Sequence, residues 1–325
     1  MARAAALPDP APTPPRPAPP ASGHPAPGTR LAPVPAGYPA PRTRRRGVPF
    51  GLVLRRAGLV LVLTALTVVN VIPFVWMVSG SLKTEYELWL NPPMWVPQSW
   101  RWENYLTAWN ALPFGRYFLN TMLLFVLSLV GVMLSNTLVA FGFARLRARW
   151  RSALFLVLLA SMMLPNQVTW LSLYVMFAKI GWVNTYLPLI VPYYFASPFF
   201  VFLLRQFFLT IPIDLDEAAR IDGASSLRVY WHIFMPTAGP VLAAMTIMVF
   251  MLVWKEYFLP LIYLNKSELF TLALGIQFFR GFADYATQWH LLMAASTAIA
   301  LPPLVLFLFC QRYFVQGLTM TGLKG

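Results

Sequence analysis

Charged and chemically reactive side chains are scarce in this sequence. Lysine, arginine, aspartate and glutamate make up 11% of its 325 residues, where a soluble domain carries about a quarter. Hydrophobic residues reach 58% and the mean hydropathy is +0.61, which argues against a soluble enzyme. A single cysteine, Cys310, excludes a disulfide scaffold or a cysteine-rich metal site. The three histidines, His24, His232 and His290, are scattered, so the His/Asp/Glu cluster that an intramembrane transferase would need is missing. There is no G-x-x-x-x-G-K-[ST] phosphate loop, so ATP is not hydrolysed by this chain itself, and no cofactor or metal is expected on it. H-E-x-x-H and G-x-S-x-G are absent too. Acids are the rarer sign, 11 against 25 bases, giving a net charge of +14. That excess would suggest nucleic-acid binding, but the placement of the bases accounts for it otherwise.

Residues 1–49 hold 15 of the 30 prolines and few large apolar side chains. Such a segment buries too little surface to offset its ordering entropy, and it is expected to be a disordered, partly polyproline-II cytoplasmic tail. Beyond it, six apolar runs are long enough for transmembrane helices, at approximately 57–79, 117–142, 152–177, 186–208, 237–262 and 290–311. No stretch alternates in the manner of a membrane barrel. The fold class expected is therefore all-α, a polytopic membrane protein of six helices over 50–325. Eighteen of the 25 basic residues fall on one side of these spans and six on the other, with Lys255 inside the fifth. By the positive-inside rule both termini are cytoplasmic, so the bases mark topology and no nucleic-acid partner is expected. The external segment 83–116 holds Trp89, Trp95, Trp100, Trp102 and Trp109, which suit an interfacial belt or a docking surface.

The cytoplasmic connection 211–236, IPIDLDEAARIDGASSLRVYWHIFMP, is the most informative stretch. Pro212 precedes a short helix whose first turn holds Asp214, Asp216 and Glu217, where acids complement the helix dipole. Leu215, Ala218, Ala219 and Asp222 share one face, and Gly223 is a left-handed stop. Ser225 or Ser226 can cap a second helix with Leu227, Tyr230, Trp231 and Phe234 on a face suited to lie against the membrane, ended by Pro236.

Glu217-Ala218-Ala219, three residues, Gly223, an apolar stretch and Met235-Pro236 together resemble the EAA loop of ABC-importer permeases. Leu164-Pro165-Asn166-Gln167-Val168, Gly181-Trp182-Val183-Asn184-Thr185, Phe202 to Phe208 and Gln311 to Leu318 are similar to the carbohydrate branch of that family, most of all its second maltose-type permease subunit. The resemblance implies a type I ABC-importer permease fold and a sugar-importer subunit of the bacterial inner membrane, working by alternating access. The implied partners are a homologous permease subunit, two ATPase subunits carrying ATP-Mg, an extracytoplasmic solute-binding protein and membrane lipid. It further implies that Asp214, Glu217, Ala218, Ala219, Asp222 and Gly223 couple to the ATPase, and that the tail with Gly322 and Lys324 faces it. Where relatives read Trp-Asn-Asp/Glu-Phe, this chain has Trp254-Lys255-Glu256-Tyr257.

Other candidates come from the residues alone. Lys255 and Glu256 are ionisable groups near the external end of a span, suited to snorkelling and pairing or to the substrate pathway. Pro165, Asn166 and Gln167 interrupt the third span, either as a satisfied kink or as a broken pathway helix. The alternative function is an ion-coupled secondary transporter acting alone. It would want intramembrane acids or an internal repeat; Glu256 is the only acid within a span, and no repeat is evident.

Overall fold

The computed structural model describes residues 50–278 and 288–322. The Pro-rich segment 1–49 and Lys324 lie outside the described residues, as do the side-chain surroundings of Asn166 and of 311–322, Gly322 included. The chain runs α1 (Phe50–Ser81), α2 (Glu103–Ala111), α3 (Phe114–Arg145), α4 (Arg151–Ala160), α5 (Asn166–Lys179), α6 (Pro198–Thr210), α7 (Asp214–Ile221), α8 (Ser226–Thr237), α9 (Gly239–Lys255), α10 (Phe258–Tyr263), α11 (Leu272–Phe278) and α12 (Trp289–Gly322). Among the described residues every regular element is helical.

Four of the predicted spans are runs apolar and long enough to cross a bilayer: Arg55–Ser81, Phe114–Arg145, Leu187–Thr210 and Trp289–Cys310. The other two differ from expectation. The third is a bent pair in which Arg151–Met163 meets Gln167–Lys179 at 96°. Each arm, at 1.5 Å per residue, reaches about 20 Å and falls short of the roughly 30 Å hydrocarbon layer. Pro165 causes the break, because it holds Leu164 in the extended region (ψ 118°) and starts α5 as its N-cap.

The fifth span, predicted as one helix over 237–262, stops at Lys255 and restarts at Phe258. The signal is Pro260, which cannot donate to the carbonyl of Glu256 and would press its ring against it. At the other end, Pro236 does not terminate α8 as expected. A π-turn over Tyr230–Phe234 widens the helix just before the proline and lets it continue to Thr237. The turn to α9 comes at Ala238, where the two arms bend by 76°.

Helix α3 is the centre of the bundle. It packs against α6, α9, α11 and the turns over Leu187–Tyr194, while α12 covers α9 and α2. Phe114, Tyr117, Leu124, Val132, Ala140 and Phe141 carry α3 into the core. Gly131 is required there: a Cβ would sit 2.6–3.0 Å from the Tyr194 ring. From Val62 onward, α1 keeps Leu66, Val69 and Phe74 exposed, as a lipid-facing or partner-facing helix does.

The Phe114 end of α3 is stitched by neutral hydrogen bonds. Asn120 Nδ2 donates to Glu268 O (2.8 Å) and Phe270 O (2.9 Å), and Leu272 N donates to Thr121 Oγ1 (2.9 Å). Asn184, in the left-handed region at φ 64°, donates its N–H to Tyr263 O (2.7 Å) and accepts from Asn265 N and Lys266 N (both 3.1 Å). Nearby, Lys83 is fully buried, its Nζ donating to Met94 O and lying 4.3 Å from the Trp76 ring centroid. The five tryptophans of 83–116 are all exposed, and Trp100 stacks on Trp102.

Candidate functional site

The Arg145 end of α3 holds the 211–236 connection. Gly223 adopts φ +80°, and Ala224 N donates to Ala219 O (2.9 Å), closing the end of α7. A Cβ on Gly223 would meet nothing within 4 Å, so only the backbone conformation demands glycine there. Ser225 Oγ then accepts from Arg228 N (3.3 Å) and caps α8.

The two helices are anchored through Tyr230, Phe234 and Asp216, which the spacing placed on these helices, and through partners it did not single out, Thr137 and Arg145. Val229, Tyr230 and Phe234 of α8 are buried against the bundle, whereas Leu227 and Trp231 stay exposed. The apolar face predicted for this helix is thus divided between the protein core and the outside. Tyr230 Oη and Thr137 Oγ1 share a hydrogen bond of 2.6 Å, and Phe234 packs edge-on against Phe141 and Phe208. These contacts tie α8 to α3 and α6.

Helix α7 is held by Asp216, whose buried side chain lies 3.6 Å (Oδ2) from Arg145 Nε, itself buried. Arg145 Nη2 also donates to two carbonyls at the end of α6, Ile211 O and Phe208 O (2.7 Å), the latter also accepting from Ile211 N (3.3 Å). Its guanidinium lies 4.9 Å from the Phe234 ring centroid. One arginine therefore joins α3, α6, α7 and α8. The pair is loose: neither Arg145 Nε nor Asp216 Oδ1 has a hydrogen-bond partner among the described residues.

Burial pushes the Asp216 carboxyl above the usual aspartate range, with Arg145 and Arg220 pulling it down and Glu217 adding to the rise. An acid with a raised folded-state pKa favours the folded state when protonated. Its contribution is present below the ordinary aspartate value and is lost as pH rises through the raised one. Asp216→Asn, which stands in for the protonated form, is expected to flatten stability against pH in that window. Thermal unfolding across a pH series would contradict this if both chains gave the same slope.

The rest of the connection faces outward. Asp214, Glu217, Ala218 and Asp222 are exposed and Ala219 is half-buried. Ile213, Leu215 and Ile221 are exposed as well, Ile221 at 86%. The remaining predicted positions do not gather at one place. Pro165 and Gln167 are exposed at the bend before α5, and Lys255 is exposed at the end of α9. Glu256 alone of this group lines a cavity, formed between α3, α5, α9, α10 and Leu187–Tyr194.

The family model for the "binding-protein-dependent transport system inner membrane component" matches residues 136–320. The chain belongs to this family. It is accordingly an inner-membrane component of a transport system, with several membrane-crossing helices.

Family relatives point the same way. The chain is 32% identical over 247 residues to the diacetylchitobiose uptake system permease protein NgcG of Streptomyces coelicolor, covering 76% of this chain and 82% of that protein. It is 34% identical over 251 residues to the sn-glycerol-3-phosphate transport system permease protein UgpE of Pectobacterium atrosepticum (75% and 89% covered). Over 274 residues it is 30% identical to the arabinooligosaccharides transport system permease protein AraQ of Bacillus subtilis (83% and 96%). The fold matches a chain of a bacterial ABC transporter that imports the acidic polysaccharide alginate, at a TM-score of 0.74 and 17% identity, over 82% of this chain and 99% of that one. The all-α reading of the sequence stands, with four helices long and apolar enough to cross a bilayer among the described residues and six spans where each bent pair counts as one.

Proposed function

We propose that this chain is one permease subunit of an ATP-driven, binding-protein-dependent carbohydrate importer, with α7 as the element that meets the ATPase. The observation that carries this reading is the division of labour within 211–236. Arg145, Tyr230 and Phe234 root the segment in the bundle, while Glu217, Ala218, Ile221 and Asp222 leave an outward-facing surface. An exposed knuckle rooted in the bundle can pass a push from a soluble partner into α3 and α6.

The side bearing 211–236 is taken as cytoplasmic, with both termini there, because it carries the larger share of the bases. ATP-Mg belongs on the two ATPase subunits, and a homologous permease and an extracytoplasmic binding protein complete the assembly. A solved alginate transporter complexed with a pentasaccharide-bound periplasmic protein has a fold similar to this chain's (TM-score 0.53) and supports the last of these. Three relatives named for diacetylchitobiose, arabinooligosaccharides and sn-glycerol 3-phosphate support a small polyhydroxylated substrate. ATP binding that closes the ATPase pair favours one membrane conformation over the other, and that differential affinity drives alternating access.

Mild-detergent purification of the tagged chain from its host, followed by mass spectrometry, tests this reading. A P-loop ATPase and a second permease are expected to co-purify. Recovery of the chain alone, under conditions that preserve such complexes, would favour the solitary ion-coupled transporter.

A further inference from the structure

We propose that the turn over 147–151, between α3 and α4, binds together with Arg205 of α6 the phosphate headgroup of an anionic lipid in the inner leaflet. This inference rests on the cytoplasmic placement of the 211–236 side and adds a lipid partner to it.

Arginine stands at every second position from 145 to 151. The first of the four, Arg145, is taken up by the bundle, where it meets Asp216. The other three are not. Arg147 and Arg149 are exposed and Arg151 is half-buried. None of these three forms an ion pair with a described residue, and the first turn of α4 holds no acid to offset them.

Arg205 brings a further cation to the same place from a different span. Its guanidinium lies 4.2 Å from the Phe155 ring centroid of α4, and its Nε donates to Phe143 O of α3 (3.3 Å). The Phe155 ring in turn stands 5.4 Å from that of Phe143 and 6.5 Å from that of Phe202, so one aromatic cluster joins α3, α4 and α6. Arg205 Nη1 and Nη2 have no partner among the described residues. Arg151 is near enough for the two cations to repel one another. Packing thus holds like charges together with no carboxylate between them, and an anion seated there removes the repulsion.

Depth in the membrane decides which anion. Leu146 and Trp150 are exposed within the same turn, Trp150 at 66%. Tryptophan favours the boundary between hydrocarbon and headgroups. Beyond it, α4 exposes Leu154, Leu156 and Val157 and buries none of its residues. A turn from which such an apolar helix sets out lies at headgroup level, where the nearest anions are lipid phosphates. The Arg149 guanidinium is 5.8 Å from the Trp150 ring centroid, so cation and interfacial ring share that level. The planar fork of arginine matches two phosphate oxygens at once. Basic pockets between helices on the cytoplasmic side suit anionic headgroups for these reasons.

The test uses the tagged full chain with the subunits that purify with it, in dodecyl maltoside. Binding of phosphatidylglycerol, and of phosphatidylethanolamine with the same acyl chains, is titrated by native mass spectrometry. The second lipid carries an amine that neutralises its phosphate. Each arginine near an anionic surface is worth roughly fivefold in affinity. The wild type is expected to hold phosphatidylglycerol about tenfold or more tightly than phosphatidylethanolamine. R147Q/R149Q/R151Q is expected to weaken phosphatidylglycerol about a hundredfold and to leave phosphatidylethanolamine unchanged. Arg151 Nη1 also braces the turn through Leu146 O (3.2 Å). R147Q alone, which removes an exposed side chain with no described bond, is therefore the second variant, expected to lose about fivefold. Equal affinity of the wild type for both lipids, or unaltered phosphatidylglycerol binding in both variants, overturns the site. Release of the lipid by millimolar inorganic phosphate would overturn the lipid in favour of a soluble anion. In a Cys310→Ala background, S152C is expected to resist an impermeant maleimide in cells stripped of their wall and to react once the membrane is opened. Labelling before opening would overturn the cytoplasmic placement itself, whereas loss of lipid selectivity alone leaves that placement and the importer reading intact.

Discussion

Arg145→Ala is expected to cost about 3–5 kcal/mol of stability. Removing one member of a buried ion pair strands the other charge, and the penalty is of that order. Here Asp216 is 5% exposed and its carboxylate faces Arg145, so it has no route to water. The loss also removes the donor to Ile211 O and one of the two donors to Phe208 O at the end of α6. Thermal unfolding of the detergent-solubilised complex checks the size of the effect. Adding Asp216→Asn should return part of the loss, because the stranded charge is then gone, and a double-mutant cycle would read a coupling of about 1 kcal/mol or more. Arg145→Lys should fall between, since a lysine keeps the charge but lacks the second arm that reaches α6. Additive single effects, each below about 1 kcal/mol, would mean that the pair does not anchor α7.

Ile221→Asp is expected to do the opposite: leave stability alone and weaken partner binding. Ile221 is 86% exposed at the end of α7, next to Asp222 and Gly223. An apolar side chain so placed gains nothing within this chain, and it gains on docking into a cleft. If α7 meets the ATPase, burying an aspartate there should cost about 2 kcal/mol or more of binding, roughly thirtyfold in affinity. Membrane insertion and the unfolding temperature should match the wild type. Co-purification of the ATPase in undiminished yield would remove α7 from the interface. Glu217→Arg and Gly223→Val are expected to uncouple as well, by different routes. The first reverses a charge on the exposed surface. The second forces a β-branched residue into φ +80° and redirects α8.

Much of the bundle was legible because long apolar runs speak for themselves. The expected 57–79 and 117–142 became Arg55–Ser81 and Phe114–Arg145, with ends moved by a few residues. Averages over windows of twenty residues are blind to bends, however. The break at Glu256 was written three to four residues downstream in Pro260, and the persistence of α8 through Pro236 depended on a π-turn that no local pattern announces. The 211–236 segment was readable because its chemistry is local: acids at a helix start, a glycine at its end, a serine cap. Its anchor was not, because Arg145 and Asp216 are 71 positions apart and Arg145 is one of four arginines in a short connection, with nothing in their spacing to separate them.

The two ends of α3 differ in the kind of joint they make. At the Phe114 end, Asn120, Thr121 and Asn184 contribute six neutral hydrogen bonds to the 263–272 stretch, each worth about 1 kcal/mol and indifferent to salt. At the Arg145 end, the hold on α7 is one ion pair at 3.6 Å with hydrogen-bonding capacity left over on both sides. The first joint behaves as a rivet and the second as a buckle with slack. A load applied at α7 would take up that slack first, and the riveted end would then turn as a block, so the free travel of this machine lies on the side where the load arrives.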